Sequence, residues 1–327
     1  MAVYTEVSDD ELAGFVERYG LGALLSYKGI AEGVENTNYL VQTTVGPFIL
    51  TLYEKRVEAR DLPFFLGLME HLATGGITCP TPVHDKSGAV LGHLAGRPAA
   101  MVTFLDGVSV HRPAPSHCEA VGDALARLHI VGKTFAASRE NALGPAGWRP
   151  LFARFSAQAD AIHPGLHRLI CDELAALEAA WPSGLEVGVI HGDLFPDNVF
   201  FLGNKLSGLI DFYFACTDIL AYDIAVCLNA WCFEADHSFN ITKGRALLKG
   251  YHARRPLAPA EAAALPTLAR GAALRFLLTR AHDWLHTESN ALVRRKDPLE
   301  YERRLRFHQS VRAISEYGFV PTPGEAR

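Results

Sequence analysis

Strand-like and helix-like patterns are unevenly distributed along this sequence, and that distribution limits the folds it can adopt. Residues 24–30, 37–43 and 47–53 are short segments rich in β-branched and aromatic residues, and glycine-containing turns separate them. Such segments predict an antiparallel meander. Residues 99–105 predict one more strand before the pattern becomes helical.

Helical periodicity dominates the rest of the chain. Ser8 with Glu11 three residues later predicts a capped first helix, and residues 61–73 predict a second helix beside the strands. Long helices are predicted beyond residue 105, with β structure only in residues 186–212. We therefore predict an α+β fold with a small antiparallel β-rich N-terminal lobe, residues 1–105, and a larger mainly α-helical C-terminal lobe, residues 106–327.

Composition excludes several classes of protein. The 327 residues are 49% hydrophobic, about what two globular lobes require. A net charge of −5 without a long basic run argues against nucleic acid as a partner, and no apolar stretch is long enough to span a membrane. The six cysteines form no CxxC pair, and the first residues carry no export signal, so we expect a cytoplasmic protein with reduced thiols.

The run GVIHGDLFPDNVFFLGNKLSGLIDF holds the chemistry predicted for this chain. Asn198 precedes one predicted strand, Asp211 follows the next, and the turn Gly203–Asn204 lies midway between them. Folding this hairpin brings an amide oxygen and a carboxylate together at its open end. Both are hard oxygen ligands of the kind that Mg²⁺ takes while it binds phosphates, so Asn198 and Asp211 are predicted metal ligands.

Asp193 is the predicted base, because it lies on the loop that enters this hairpin. Phosphoryl transfer needs an acid that orients the attacking hydroxyl, while an asparagine and a second aspartate hold Mg²⁺ against the nucleotide. The spacing of His191, Asp193, Asn198 and Asp211 matches the catalytic loop and metal-binding aspartate of kinases. We predict that His191 packs under the loop, and we assign no chemistry to Asp223.

HGDLFPDN followed by LIDFYFACTDILAYDIA resembles the aminoglycoside phosphotransferase and choline kinase superfamily, whose fold is protein-kinase-like and bilobed. The run from residue 189 to 234 is similar to the bacterial homoserine kinases of that superfamily. The resemblance implies transfer of the ATP γ-phosphoryl group to the hydroxyl of L-homoserine, in threonine synthesis, with ATP and Mg²⁺ as cofactors. The alternatives are a kinase for choline, ethanolamine or an aminoglycoside, or a non-catalytic nucleotide-binding pseudokinase.

Nucleotide contacts are predicted in the N-terminal lobe. The small and polar residues between the first two strands, taken alone, fit any glycine-containing hairpin, and the resemblance implies a loop that binds phosphates. The resemblance also implies that the end of the fourth strand offers backbone groups to adenine, although the pattern fits an ordinary buried strand equally well. The third-strand lysine of related kinases is absent: Thr51 occupies its position. The predicted nucleotide-binding residues are Gly29, Gly33, Asn36, Thr51, Lys55, Thr103 and Phe104.

An amino-acid acceptor needs a cation for its carboxylate and an acid or carbonyl group for its ammonium. Several polar and aromatic residues near the catalytic segment and on the long C-terminal helix are candidates, although each is equally consistent with packing or surface exposure. These candidates are Tyr213, Asp218, Asn229, Arg275, Arg280 and Trp284. The sequence does not predict an oligomeric state.

Overall fold

The computed structural model of the chain describes residues 5–30, 36–54, 58–286 and 295–320. These residues form two compact units. The first takes its described residues from Met1–Gly107 and Ser207–Tyr213, and the second from Val108–Leu206, Phe214–Ser289 and Arg295–Arg327.

An antiparallel sheet with strand order β1-β2-β3-β5-β4 organises the first unit. Its strands are β1 Leu24–Gly29, β2 Thr37–Thr43, β3 Pro47–Leu52, β4 Gly92–Leu94 and β5 Arg97–Thr103. Residues of β2 alternate between buried and half-buried positions, as expected where one face of a sheet covers a core. Leu50 of β3 and Met101 of β5 are register partners and are both fully buried.

Two helices accompany this sheet: α1 Asp9–Tyr19 and α2 Leu62–Thr74. Ser8 and Glu11 form the predicted capping box at the start of α1, with the backbone N–H of Glu11 donating to Ser8 Oγ. Leu12, Phe15 and Val16 of α1 are buried in one cluster with residues of the sheet. The burial of this apolar stripe supplies the main stabilisation of a short amphipathic helix.

Short strands surround the catalytic segment. In the second unit, β6 Val187–Ile190 pairs antiparallel with β9 Cys216–Ile219. The strands β7 Val199–Leu202 and β8 Lys205–Leu209 form a two-stranded sheet, and the boundary between the units falls within β8. The turn between these strands is at Gly203 and Asn204, as predicted, and Gly203 adopts φ 58°.

The remaining helices belong to the second unit. They are α3 Pro115–Gly132, α4 Pro145–Ala153, α5 Ala159–Ile162, α6 Leu166–Ala180, α7 Leu220–Trp231, α8 Ile241–Arg254, α9 Pro259–His286 and α10 Leu299–Ser310. α7 is buried along nearly its whole length, and α9 packs against it. α3 and α8 pack closely because Gly122 lies directly against the α8 backbone.

The predicted fold class is confirmed: an antiparallel β-rich N-terminal part and a mainly helical C-terminal part. Several element boundaries were wrong. The strand predicted over residues 99–105 is β5 Arg97–Thr103, and β structure continues beyond residue 212 in β9. β4 was not predicted either. Among the described residues, no helix combines the length and apolar character needed to cross a membrane.

Candidate active site

The loop after β6 carries the predicted base, and its own hydrogen bonds shape it. The backbone N–H of Asp193 donates to Nδ1 of His191 at 3.3 Å, and the N–H of Phe195 donates to the carbonyl oxygen of Asp193 at 2.8 Å. His191 is fully buried, so the predicted packing beneath the loop is confirmed. A 3₁₀ turn over Pro196–Asn198 then leads into β7.

Asn198 is hydrogen-bonded to Asp193 through its side-chain nitrogen. Nδ2 donates to the Asp193 carbonyl oxygen at 2.8 Å and to Asp193 Oδ2 at 3.3 Å, and Asn198 is 8% exposed. The structure therefore brings two of the predicted site residues into contact. Because its nitrogen faces Asp193, the amide presents its oxygen elsewhere, as an oxygen ligand for a cation requires.

A buried carboxylate on α7 holds the start of the loop. Asp223 accepts hydrogen bonds from the backbone N–H groups of His191 at 2.6 Å and Gly192 at 2.9 Å. Nε2 of His129, on α3, lies 3.3 Å from the same carboxylate. Burial alone would raise the pKa of Asp223, but the hydrogen bonds from His129 and the loop outweigh it and lower the pKa below its ordinary value.

The network continues beyond His129 to α8. Nδ1 of His129 lies 2.7 Å from the Tyr251 hydroxyl, which also accepts a hydrogen bond from Arg255 Nη1 at 3.1 Å. With the arginine donating to the hydroxyl oxygen, the tyrosine proton is directed to His129 Nδ1, and His129 donates through Nε2 to Asp223. This chain of donors fixes the tautomer of His129 that serves the Asp223 carboxylate.

Arg275 of α9 joins the same loop from another side. Its Nη1 donates to the carbonyl oxygen of Gly192, and its Nη2 is 4.0 Å from Asp193 Oδ1. The guanidinium also lies over the ring of Phe276, 4.4 Å from the centroid. The Arg275 side chain is 4% exposed. These contacts make Arg275 a buried positive charge directly beside the predicted base.

The environment of Asp193 opposes its ionisation in part. Burial raises the pKa of Asp193 above its ordinary value, although the positive charges of Arg275, His191 and Lys296 act in the opposite direction. Its side chain remains 19% exposed. Such an acid is accessible from one side and is a stronger base than an exposed aspartate.

Asp211 and Tyr213 belong to the first unit. Asp211 adopts φ 63°, in the left-handed region that costs energy for a residue with a side chain. The Tyr213 hydroxyl is 3.3 Å from that of Tyr53, and its ring packs edge-on against Phe65. The predicted pairing of Asp211 with Asn198 stays a prediction.

The predicted nucleotide-binding residues lie around the sheet of the first unit. Asn36 Oδ1 accepts a hydrogen bond from the backbone N–H of Glu54 at 3.3 Å, and Thr51 Oγ1 donates to Asn38 Oδ1 at 2.8 Å. The backbone N–H of Thr103 donates to the carbonyl oxygen of Thr81. Gly29 ends β1, and Phe104 is 38% exposed. Gly33 and Lys55 lie outside the described residues.

The predicted acceptor residues of the second unit already have protein partners. Asp218 accepts a hydrogen bond from Asn141 at 2.7 Å, and the buried Asn229 donates to carbonyl oxygens of α7 and α9. Arg280 forms an ion pair with Glu300 at 2.7 Å. Trp284 is 37% exposed, and its carbonyl oxygen accepts from Arg295.

The sequence did not predict how the catalytic loop is held. Asp223 was assigned no chemistry, and Arg275 was predicted only as a ligand of the acceptor. One signal was available: Asp223 is the single acid in the apolar run LAYDIAVCLNAW, and a buried carboxylate requires hydrogen-bond donors. Which donors those are depends on helix packing, which the sequence pattern does not specify.

Comparisons with known proteins agree with this geometry. The model of the phosphotransferase enzyme family, APH, matches residues 26–257. A homoserine kinase of Xanthobacter autotrophicus is 66% identical over 98% of this chain and 100% of that protein, and one of a Methylobacterium species is 62% identical over 98% and 100%. The fold is similar to that of choline kinase from Cryptosporidium parvum, with a TM-score of 0.67 at 15% identity, covering 92% of this chain and 94% of that one. The chain belongs to the phosphotransferase enzyme family.

Proposed function

We propose that this chain is a homoserine kinase, which transfers the γ-phosphoryl group of ATP to the side-chain hydroxyl of L-homoserine. The observation that carries the proposal is the set of curated homoserine kinases that are 61–66% identical to this chain over nearly the full length of both proteins. The product is O-phospho-L-homoserine, and the reaction belongs to threonine biosynthesis.

In this proposal Asp193 binds the acceptor hydroxyl and accepts its proton. The oxygen of the hydroxyl attacks the γ-phosphorus, the bond from phosphorus to the bridging oxygen of ADP breaks, and the proton passes to an Asp193 carboxylate oxygen. Asn198 holds one carboxylate oxygen through its Nδ2, and Arg275 faces the other. These two contacts fix the carboxylate rotamer, which supports its role in orienting the hydroxyl.

Asn198 and Asp211 are proposed to hold Mg²⁺. The fit rests on the donor set: an amide whose nitrogen is engaged by Asp193 and whose oxygen is therefore directed elsewhere, and a carboxylate on a strained backbone. Among the described residues, no three or more histidine, cysteine or acidic side chains are grouped so that they could hold a metal ion. When bound, Mg²⁺ would neutralise phosphate charge during transfer.

ATP binding is assigned to the first unit, through Gly29, Gly33, Asn36, Thr51, Lys55, Thr103 and Phe104. Thr51 supplies a hydroxyl where related kinases supply an ammonium, so the phosphate charge must be met mainly by backbone N–H groups, Mg²⁺ and a basic residue such as Lys55. Tyr213, Asp218, Asn229, Arg275, Arg280 and Trp284 stay predictions as acceptor residues.

We place the reaction in the cytoplasm, where ATP is available. The six cysteines are unpaired in the structure, and five of them are buried, as is usual in a reducing compartment. The partners expected in this compartment are the small-molecule substrates, without nucleic acid or membrane.

A coupled ADP-release assay at saturating MgATP tests the proposal. L-homoserine, L-serine, choline, ethanolamine and kanamycin are compared by kcat/KM, and the product is identified by mass spectrometry. We expect homoserine to have the highest kcat/KM of the five acceptors, and choline, which lacks the carboxylate, scarcely to react. A higher kcat/KM for choline or kanamycin would reject homoserine as the substrate, and ATP binding without turnover of any acceptor would indicate a pseudokinase.

A further inference from the structure

The remaining question is how a zwitterionic acceptor is bound beside Asp193, and this inference rests on the proposed function. Homoserine carries its hydroxyl at one end and an α-carboxylate and α-ammonium at the other, separated by three carbon atoms. When Asp193 holds the hydroxyl, both charged groups therefore lie close to the catalytic loop. Each needs a partner of opposite charge that is accessible to the acceptor.

The two arginines predicted for the carboxylate are committed to the protein. Arg275 is buried, and its guanidinium donates to the carbonyl oxygen of Gly192. Arg280, with a side chain 12% exposed, donates to Glu300 and to the carbonyl oxygen of Asp297, and lies 4.5 Å from the centroid of the Tyr301 ring. Withdrawing the Arg275 guanidinium to bind a substrate would leave the buried carbonyl oxygen of Gly192 without its donor, which is costly. Withdrawing Arg280 would break its ion pair with the half-buried Glu300.

Lys296 and Asp197, by contrast, form an exposed ion pair. Lys296 Nζ lies 3.7 Å from Asp197 Oδ2, and the two side chains are 62% and 65% exposed. An ion pair of this length between exposed groups contributes little to stability, so a ligand can replace either partner at small cost. One positive and one negative group are thus available at the same point of the surface.

This pair adjoins the base. Asp197 is four residues after Asp193 on the same loop, and Lys296 Nζ is 5.8 Å from the centroid of the Phe195 ring. Phe195 itself packs edge-on against Phe276, the neighbour of Arg275.

We infer that Lys296 and Asp197 form the binding site for the charged end of an amino-acid acceptor. The Lys296 ammonium binds the α-carboxylate, and the Asp197 carboxylate binds the α-ammonium. The exposed pair opens as the acceptor inserts, and the aliphatic part of the acceptor lies along Phe195. Amino acids with a side-chain hydroxyl are then selected over amino alcohols, which lack the group that Lys296 binds.

The test compares three acceptors in three forms of the full-length enzyme. L-homoserine has both charges, 3-aminopropan-1-ol lacks the carboxylate, and 4-hydroxybutyrate lacks the ammonium. For each acceptor, kcat/KM is measured in the wild type, Lys296→Gln and Asp197→Asn. If an analogue turns over too slowly, its inhibition constant against homoserine is measured instead. Lys249→Gln and Asp172→Asn are matched controls, since both are exposed and ion-paired in the second unit.

We expect Lys296→Gln to lower kcat/KM for homoserine by roughly tenfold or more, the effect of losing one charge-assisted contact, through KM more than kcat. The same variant should lower kcat/KM for 3-aminopropan-1-ol much less than kcat/KM for homoserine. Asp197→Asn should impair homoserine and 3-aminopropan-1-ol more than 4-hydroxybutyrate. The controls should behave as the wild type with all three acceptors.

Other outcomes overturn the inference in distinguishable ways. Equal losses for all three acceptors, with a raised KM for ATP, would assign Lys296 to the nucleotide phosphates. If both variants keep the wild-type ratio of kcat/KM between homoserine and the two analogues, the site is rejected and the kinase function is unaffected. If the wild type fails to phosphorylate homoserine, the proposed function and the site are both rejected. A selective rise in homoserine KM in Arg280→Leu, without one in Lys296→Gln, would restore the arginine prediction.

Discussion

The buried carboxylate of Asp223 accepts a 2.6 Å hydrogen bond from the backbone N–H of His191, at the start of the loop that carries Asp193. The backbone N–H of Gly192 and the ring of His129 also donate hydrogen bonds to this carboxylate. Asp223 therefore acts as a positioning residue: it fixes the backbone two residues before the base without touching a substrate. Ionised, it accepts from all three donors.

Asp223→Asn should consequently destabilise the protein and lower kcat together. The amide has one acceptor oxygen where the carboxylate has two, and its NH₂ group is forced against a donor. We expect a loss of about 3–5 kcal/mol in the free energy of unfolding, the usual cost of breaking a buried charged pair. Denaturant unfolding and kcat are measured beside Asp172→Asn, an exposed control. An Asp223→Asn variant with the stability of the control would contradict this role.

Two glycines predict opposite effects of the same substitution. A Cβ at Gly122 would overlap the carbonyl oxygen of Leu247 and lie 2.8 Å from the backbone nitrogen of Tyr251, so Gly122→Ala should separate α3 from α8. We expect a loss of about 1–3 kcal/mol, as for other overpacked positions. Gly14 in α1 has no neighbour within 4 Å, so Gly14→Ala should gain about 0.5–1 kcal/mol from helix propensity. Chemical unfolding of both variants checks this, and changes of the same sign would contradict it.

His308 predicts a fall in stability towards acid pH. Burial, with a contribution from the Arg304 charge, lowers the pKa of His308 to about 3. The unfolded chain binds a proton at this histidine below its ordinary pKa of about 6.5, whereas the folded chain does not, so stability falls as pH decreases from about 6.5 towards 3. The slope from this group approaches about 1.4 kcal/mol per pH unit.

His308→Gln should remove that part of the pH dependence. The free energy of unfolding is measured by urea at pH 8, 7, 6 and 5 for the wild type and the variant. The variant loses the contact of His308 Nδ1 with the Tyr317 hydroxyl at 2.8 Å, so it should be less stable at pH 8. The difference should narrow as pH falls. Parallel curves over the whole range would show that His308 does not cause the acid loss.

Local patterns predicted the elements that depend on neighbours in sequence. Ser8 and Glu11 satisfy each other within one helical turn, and the Gly203–Asn204 turn requires two adjacent residues that tolerate a tight reversal. Both were predicted correctly for that reason. By contrast, β4 and β9 are three and four residues long, and their existence depends on partners that the local pattern does not identify.

The candidate active site also combines contacts between neighbours in sequence with contacts that depend on tertiary packing. Asp193 and Asn198 are five residues apart, so a motif could associate them, and the structure brings them into contact. Arg275 reaches Gly192 from 83 residues away, and its role depends on how α9 packs. We predicted Arg275 and Arg280 as acceptor ligands because the carboxylate of an amino acid is often bound by an arginine. In the structure, both guanidinium groups instead bind other parts of the protein.

The metal assignment predicts a changed Mg²⁺ dependence. Removing the amide in Asn198→Ala should shift the half-saturating Mg²⁺ concentration upward, because an oxygen ligand is lost. Asp211→Asn should lose most activity at every Mg²⁺ concentration, because a charged ligand is lost. Initial rates are measured against Mg²⁺, with Gln158→Ala, an exposed amide of the second unit, as a control. An Asn198→Ala curve that superimposes on the wild type would exclude Asn198 as a ligand.

The central claim, that Asp193 is the base for phosphoryl transfer to homoserine, is tested most directly by Asp193→Asn. The amide keeps the size of the side chain and can still accept from Asn198, but it cannot accept the hydroxyl proton. The measurement is kcat for homoserine at saturating MgATP, together with the Kd for ATP by calorimetry. We predict a loss in kcat of roughly 10²- to 10⁴-fold with an ATP Kd within about threefold of the wild type. A folded Asp193→Asn enzyme with near-normal kcat would contradict the account.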